Sequence, residues 1–378
     1  MRITFVLPFN GLAGGVRVVA IYAQKLVERG HDVCVATAPK RRVTFKNRVT
    51  SLLRGRGWEV NKAARGRYFD HYHGHLLELE RYAVRDEDLP DADVVVATWW
   101  ETAEWVADLS PDKGAKAYFI QHYEAHPGQP KERVDSTWRL PMFRIVVSNW
   151  LAEFGERKFG PHRPVVVPNA VDLKQFSARP RDKQLVPTVG VMYSTIPYKG
   201  CAMSLEAVSK AREEVPKLHL VAFGAMEPTR ELALPSQTQF HLRPAQREIA
   251  RLYASCDAWL FGSVTEGFGL PILEAMACGT PVIGTPAGAA PELIAGGGGI
   301  LIRPSNMKDM AAGIVRIARM GEDEWEAMSQ AAHRTASSYT WDDAADRFER
   351  ALERAAGQAD SPGKDRESPH PARRTTAA

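Results

Sequence analysis

At 378 residues the chain is too long for one small core and suits two domains of roughly 150 to 190 residues each. A hydrophobic content of 44% with 25% charged residues is that of a globular protein with a core in each half, and no apolar run approaches the roughly 20 residues needed to span a bilayer. The formal net charge of +4 conceals a cluster: ten Lys and Arg fall between Lys40 and Arg67, against Glu59 alone.

The first half alternates short apolar runs with amphipathic helical stretches, the pattern of βαβ units in a parallel sheet. Strands are predicted at 3–7, 33–36, 94–97, 118–120 and 145–147, and a helix over 16–29 closed by Gly30-His31. The opening MRITFVLPF lacks the charged start and cleavage site of a secretion signal, so a cytoplasmic protein is expected. Between the first strand and the helix lies NGLAGGV, whose Gly11, Gly14 and Gly15 bring backbone amides toward a ligand. Their spacing does not give G-x-G-x-x-G and no acidic residue closes the next strand, which argues against a dinucleotide-dependent dehydrogenase. Arg17, early in the helix, reads either as a phosphate ligand or as a surface residue.

In the basic stretch 40–67, Val43, Phe45, Val49, Leu52, Leu53 and Trp58 alternate with the cations. Such a segment either lies on an anionic membrane surface or is a solvated connection. The run HYHGH at 71–75 lacks acidic or cysteine partners and reads as a polar loop rather than a metal site. Trp99, Trp100 and Glu101 end a strand, where the aromatic faces either stack on sugars or pack. His122 follows another strand at a carboxyl end, the usual ligand position in parallel sheets, and Glu124 competes with it.

After residue 176 the composition shifts to SARPRDKQLVP, a charged, proline-flanked linker at 177–187. Strands then resume at 188–192, 218–223, 258–261, 281–284 and 300–302. The expected organisation is a first domain over 1–176, a second over 188–339, an amphipathic helix over 340–356, and a tail from 357 without apolar periodicity, expected to be disordered. The four scattered cysteines read as reduced core thiols.

The most informative segment is TEGFGLPILEAMACGTPVIGT at 265–285. A buried strand at 258–261 runs into a glycine-rich turn, and Pro271 suits the first turn of a helix that ends at Gly279. The helix N-terminus, with free amides and a positive dipole end, faces the turn and suits phosphate. Glu266 precedes the turn and Glu274 lies one turn into the helix. Lys199, beside a glycine that opens a helix, reaches toward the same place and is weighed against a plain surface lysine.

This segment resembles the donor-site signature of the retaining glycosyltransferases of family 4, down to the GFG turn, the AMACGTPV continuation and Glu292 in the following GAAPEL. The resemblance implies a GT-B fold, two Rossmann-like domains facing across a cleft, with the helix of 340–356 crossing back onto the first. It implies transfer of a sugar from a nucleoside diphosphate sugar to a glycan, lipid-linked or small-molecule acceptor, with retention of configuration. By the same resemblance Glu266 and His122 lie at the donor sugar and Glu274 binds the ribose. The backbone of Phe268, Gly269 and Leu270 holds the distal phosphate, and Gly14 and Gly15 face donor and acceptor. No metal or other cofactor and no nucleic acid is expected, since no Asp-x-Asp pair stands after a strand to hold a cation. The chain departs from the family in carrying Val191 where an arginine is expected, which motivates the alternative of a catalytically silent nucleotide-sugar-binding or scaffold protein.

Overall fold

In the computed structural model, the described residues are 1–11, 13–39 and 67–357. The basic stretch, except for its last residue, and the tail from 358 lie outside them.

Two parallel sheets organise these residues. The first runs in the order β3 (His75–Glu78), β2 (Asp32–Thr37), β1 (Arg2–Leu7), β4 (Val94–Ala97), β5 (Ala115–Ile120), β6 (Phe143–Val146), β7 (Val165–Val166). The second runs β10 (Thr238–Leu242), β9 (His219–Gly224), β8 (Thr188–Tyr193), β11 (Ala258–Phe261), β12 (Val282–Gly284), β13 (Gly299–Leu301). In each sheet the order reverses beside the first strand, between β1 and β4 and between β8 and β11. At such a reversal the loops leaving the carboxyl ends diverge and open a crevice for a ligand.

The helices are α1 (Gly14–Glu28), α2 (Trp100–Asp108), α3 (Lys131–Thr137), α4 (Asn149–Phe159), α5 (Cys201–Ala211), α6 (Gln246–Ala254), α7 (Leu270–Ala277), α8 (Ala290–Ile294), α9 (Met307–Arg319), α10 (Glu322–Ser337) and α11 (Trp341–Ala355). Helices pack against the sheets, and the inner strands are buried along most of their length. Val94–Ala97 and Ala258–Phe261 have every residue buried. That is why they appear as continuous apolar runs. Helix α1 ends as expected at Gly30-His31, whose amides reach back to the carbonyls of Val27 and Leu26. Three strands escape the apolar-run criterion, β3, β7 and β10, and all three are sheet edges. The HYHGH segment is correspondingly not all loop, because His75 opens β3.

Residues 181–188 are fastened to the second sheet. Asp257 accepts the amides of Gln184 and Thr188, both at 2.8 Å, and the Arg181 guanidinium stands 4.7 Å over the Trp325 ring. Each of the four cysteines is buried and unbridged. Among the described residues no helix is long and apolar enough to cross a membrane.

Helix α11 returns to the first sheet and lies on α1. Phe348 stacks on Tyr22 at 4.4 Å and meets Phe119 edge-on at 5.0 Å. At the rim Lys25 pairs with Asp342, and Arg29 and His31 share Glu349, all at 2.7 Å. The fully buried aromatic contact is the larger contribution, and the Lys25–Asp342 pair, open to solvent, adds little. Replacing Phe348, which is fully buried, with alanine should destabilise the chain by about 3–5 kcal/mol, measurable as a shift of the urea unfolding midpoint.

Candidate active site

The loops leaving β1, β4, β5, β8 and β11 converge on one cavity of about 560 Å³ between the two sheets. All nine residues singled out from the sequence line it: Gly14, Gly15 and His122 from the first sheet's side, and Lys199, Glu266, Phe268, Gly269, Leu270 and Glu274 from the second. Residues separated by some 260 positions in the chain thus share one space.

Helix α7 starts in this cavity. Gly269 caps it with φ of +100°, in the left-handed region that side-chain-bearing residues avoid, and Pro271 occupies the first turn. Gly269 and Leu270 line the cavity at the start of the helix, its positive dipole end, while the Ile272 amide already donates to the Gly269 carbonyl at 2.9 Å.

The two glutamates are each matched by a cation. Lys199 Nζ lies 2.7 Å from Glu266 Oε1, to which the Ser263 hydroxyl also donates at 2.8 Å. Arg17 Nη1 donates to Glu274 Oε1 at 2.9 Å, and the Tyr253 hydroxyl donates to Glu274 Oε2 at 3.0 Å. Arg17 is therefore not a surface residue: its side chain is 19% exposed and its pair bridges the two domains. Sequence distance hides this contact. Val191 is likewise corrected. Its side chain is packed in the core of the second domain, where Val189, Leu260 and Ile314 also lie, while its neighbour Met192 lines the cavity. An arginine at 191 would enter that core.

His122 is held in one tautomer. Its Nδ1 lies 2.7 Å from the Tyr123 carbonyl, which can only accept, so Nδ1 carries the hydrogen. Nε2 is then a bare acceptor, buried without a partner. Burial lowers the His122 pKa, outweighing the opposing pull of Glu266, and the ring is neutral at pH 7. Beside it the His126 ring stacks on Tyr198 at 5.6 Å, an aromatic wall shared by both domains and without a periodic signature along the chain.

The domains touch directly beneath this wall. The Gly267 carbonyl accepts the Ser148 hydroxyl at 2.7 Å and the Trp150 indole N–H at 2.9 Å. A Cβ at position 267 would stand 1.6 Å from the Gln121 carbonyl oxygen, so only glycine allows the approach. Asn149 adds a bond to Glu292 at 2.8 Å.

Glu124 serves the scaffold. It is 2% exposed and accepts the Trp100 amide at 2.7 Å, which fixes the start of α2. Trp100 is buried with it, whereas Trp99 faces the cavity. Among the described residues no three His, Cys, Asp or Glu side chains converge as metal ligands.

Residues 183–320 match the family model of glycosyl transferases group 1. Similar curated proteins include an MMP α-(1→4)-mannosyltransferase of Mycolicibacterium hassiacum, 28% identical over 211 residues that cover 52% of this chain and 50% of that protein. A D-inositol 3-phosphate glycosyltransferase of Mycobacterium marinum is 28% identical over 217 residues, covering 52% of this chain and 46% of that protein. The chain spans about half the length of these relatives. Among solved structures, HepE of Anabaena with UDP and glucose superposes with a TM-score of 0.71 at 16% identity, covering 94% of this chain and 100% of that one. Sucrose-phosphate synthase of Thermosynechococcus elongatus gives 0.68 at 15% identity, covering 94% and 99%. The fold is that of the GT-B glycosyltransferases: two Rossmann-like domains facing across a cleft.

Burial pushes the Glu124 carboxyl well above its ordinary 4.5, so the folded state keeps a proton that the unfolded state has lost. Its contribution to stability is full below 4.5 and declines as pH rises toward the raised value. Glu124→Gln retains an acceptor for the Trp100 amide without the ionisation. Urea unfolding between pH 4.5 and 8 should therefore show a shallower decline in the variant than in the wild type.

Proposed function

We propose that this chain transfers a sugar from a nucleoside diphosphate sugar to an acceptor hydroxyl, with retention of configuration. The observation that carries the reading is the single cavity in which the α7 N-terminus, Lys199, Glu274 and the bare Nε2 of His122 meet. The domain match over 183–320 supports it, as do the names of the relatives and the UDP and glucose bound by HepE. Retention follows from the resemblance to family 4.

In this reading the second domain, 188–339, holds the donor and the first, 1–176, presents the acceptor, with 177–187 connecting them. Glu274 takes the ribose hydroxyls, exchanging its bond to Arg17. The diphosphate sits on the amides of Phe268, Gly269 and Leu270, with Gly14 and Gly15 opposite. Lys199, now 2.7 Å from Glu266, turns to the phosphates and neutralises the charge that grows on them as the glycosidic bond breaks. Glu266 is left beside the sugar, and the neutral His122 accepts a sugar hydroxyl at Nε2. Two cations and a helix terminus supply the stabilisation that a metal ion gives elsewhere.

Incubation with UDP-glucose or GDP-mannose and a panel of sugar acceptors should release nucleoside diphosphate, and excess chelator should leave the rate unchanged. Failure of every nucleotide sugar to bind in calorimetry would overturn the reading, and binding without release would mark a silent protein. Glu274→Ala should weaken nucleotide-sugar binding by about 1.5–3 kcal/mol, the range for hydrogen bonds to a charged group.

A further inference from the structure

We infer that the acceptor is itself a saccharide, with one ring seated in a second cleft against the first domain; this rests on the transfer reading above. The cleft has a volume of about 350 Å³ and lies between the loop after β1, the start of α2 and the segment leading into α3. Pro8, Phe9 and Trp99 line both it and the donor cavity, so the two spaces share a wall. An occupant of the second is held where a hydroxyl reaches the anomeric carbon of a sugar in the first.

The lining has the chemistry of carbohydrate recognition. Phe9, Trp99 and Tyr82 provide aromatic faces for the C–H side of a pyranose ring. Among them stand Glu101, only 7% exposed and accepting the Tyr82 hydroxyl, Gln129, whose amide oxygen receives the Trp100 indole N–H at 3.1 Å, and Arg133. Carboxyl and amide oxygens accept hydroxyl protons, and the amide and guanidinium N–H groups donate to hydroxyl oxygens. A volume near the lower end for small-molecule sites suits a short saccharide unit. In the transfer, the acceptor oxygen bonds to the anomeric carbon as the bond to the diphosphate oxygen breaks. That oxygen keeps the electron pair, and the hydroxyl proton passes to the diphosphate.

Saturation-transfer NMR on the full chain, with UDP or GDP present, tests this with the methyl α-glycosides of glucose, mannose, galactose and N-acetylglucosamine. At least one glycoside should bind, and Glu101→Gln should weaken it tenfold or more. Arg133→Ala, a substitution at a half-exposed ion pair that spares the core, should weaken it several-fold with an unchanged Tm. Nucleotide-sugar affinity in both variants should stay within twofold, whereas Glu274→Ala should show the reverse pattern. If nucleotide sugar binds but no glycoside does, or if glycoside binding ignores both substitutions, the saccharide subsite is wrong while the donor reading stands. If no nucleotide sugar binds the wild type, the donor reading itself fails.

Discussion

The cleft depends on a backbone contact at Gly267. Its carbonyl is bound by two donors of the first domain, and its missing side chain lets the chain pass against Gln121. Each hydrogen bond contributes only about 0.5–1.5 kcal/mol net, yet the geometry is restrictive because backbone meets backbone with no side chain to adjust. Glu266 and Phe268 flank that point and Gln121 adjoins His122, so this contact sets the glycine-rich turn of the second domain beside the imidazole.

Charge in the cleft is balanced before any ligand arrives. Two carboxyl groups and two cations, each largely shielded from water, form two short pairs. An unpaired charge there would be costly, whereas a paired one that exchanges partners keeps its compensation throughout. In the proposed transfer reading, an entering polyanion would meet cations already desolvated and oriented, and the carboxyl groups it displaces would find hydroxyl donors on the same ligand. The neutral His122 adds an acceptor without upsetting the balance.

The sequence reveals most where burial is two-sided. Inner strands appear as mainly apolar runs, while the edge strands β3 and β10 carry mixed residues, HLLE and TQFHL, and the edge strand β7 is only two residues long. The glycine-rich turn is legible because helix start, glycines and both glutamates are local. Arg17 is not, since its partner lies 257 residues away and only the closed fold joins them. Val191 misleads for a related reason: counting from a motif fixes a position but not the face of the strand on which it falls. Ser148, Trp150 and Tyr198 act through contacts between domains, which no single-segment pattern encodes.

Helix α11 has a bearing on the order in which the molecule is built. The apolar surface of Phe5, Tyr22 and Phe119 belongs to the first sheet and α1, but its cover, Phe348, is among the last described residues. During synthesis all strands of the second sheet leave the ribosome before that cover does. The domain begun first is thus completed last, and its aromatic patch stays open to water, or to a chaperone, while its neighbour is already able to fold.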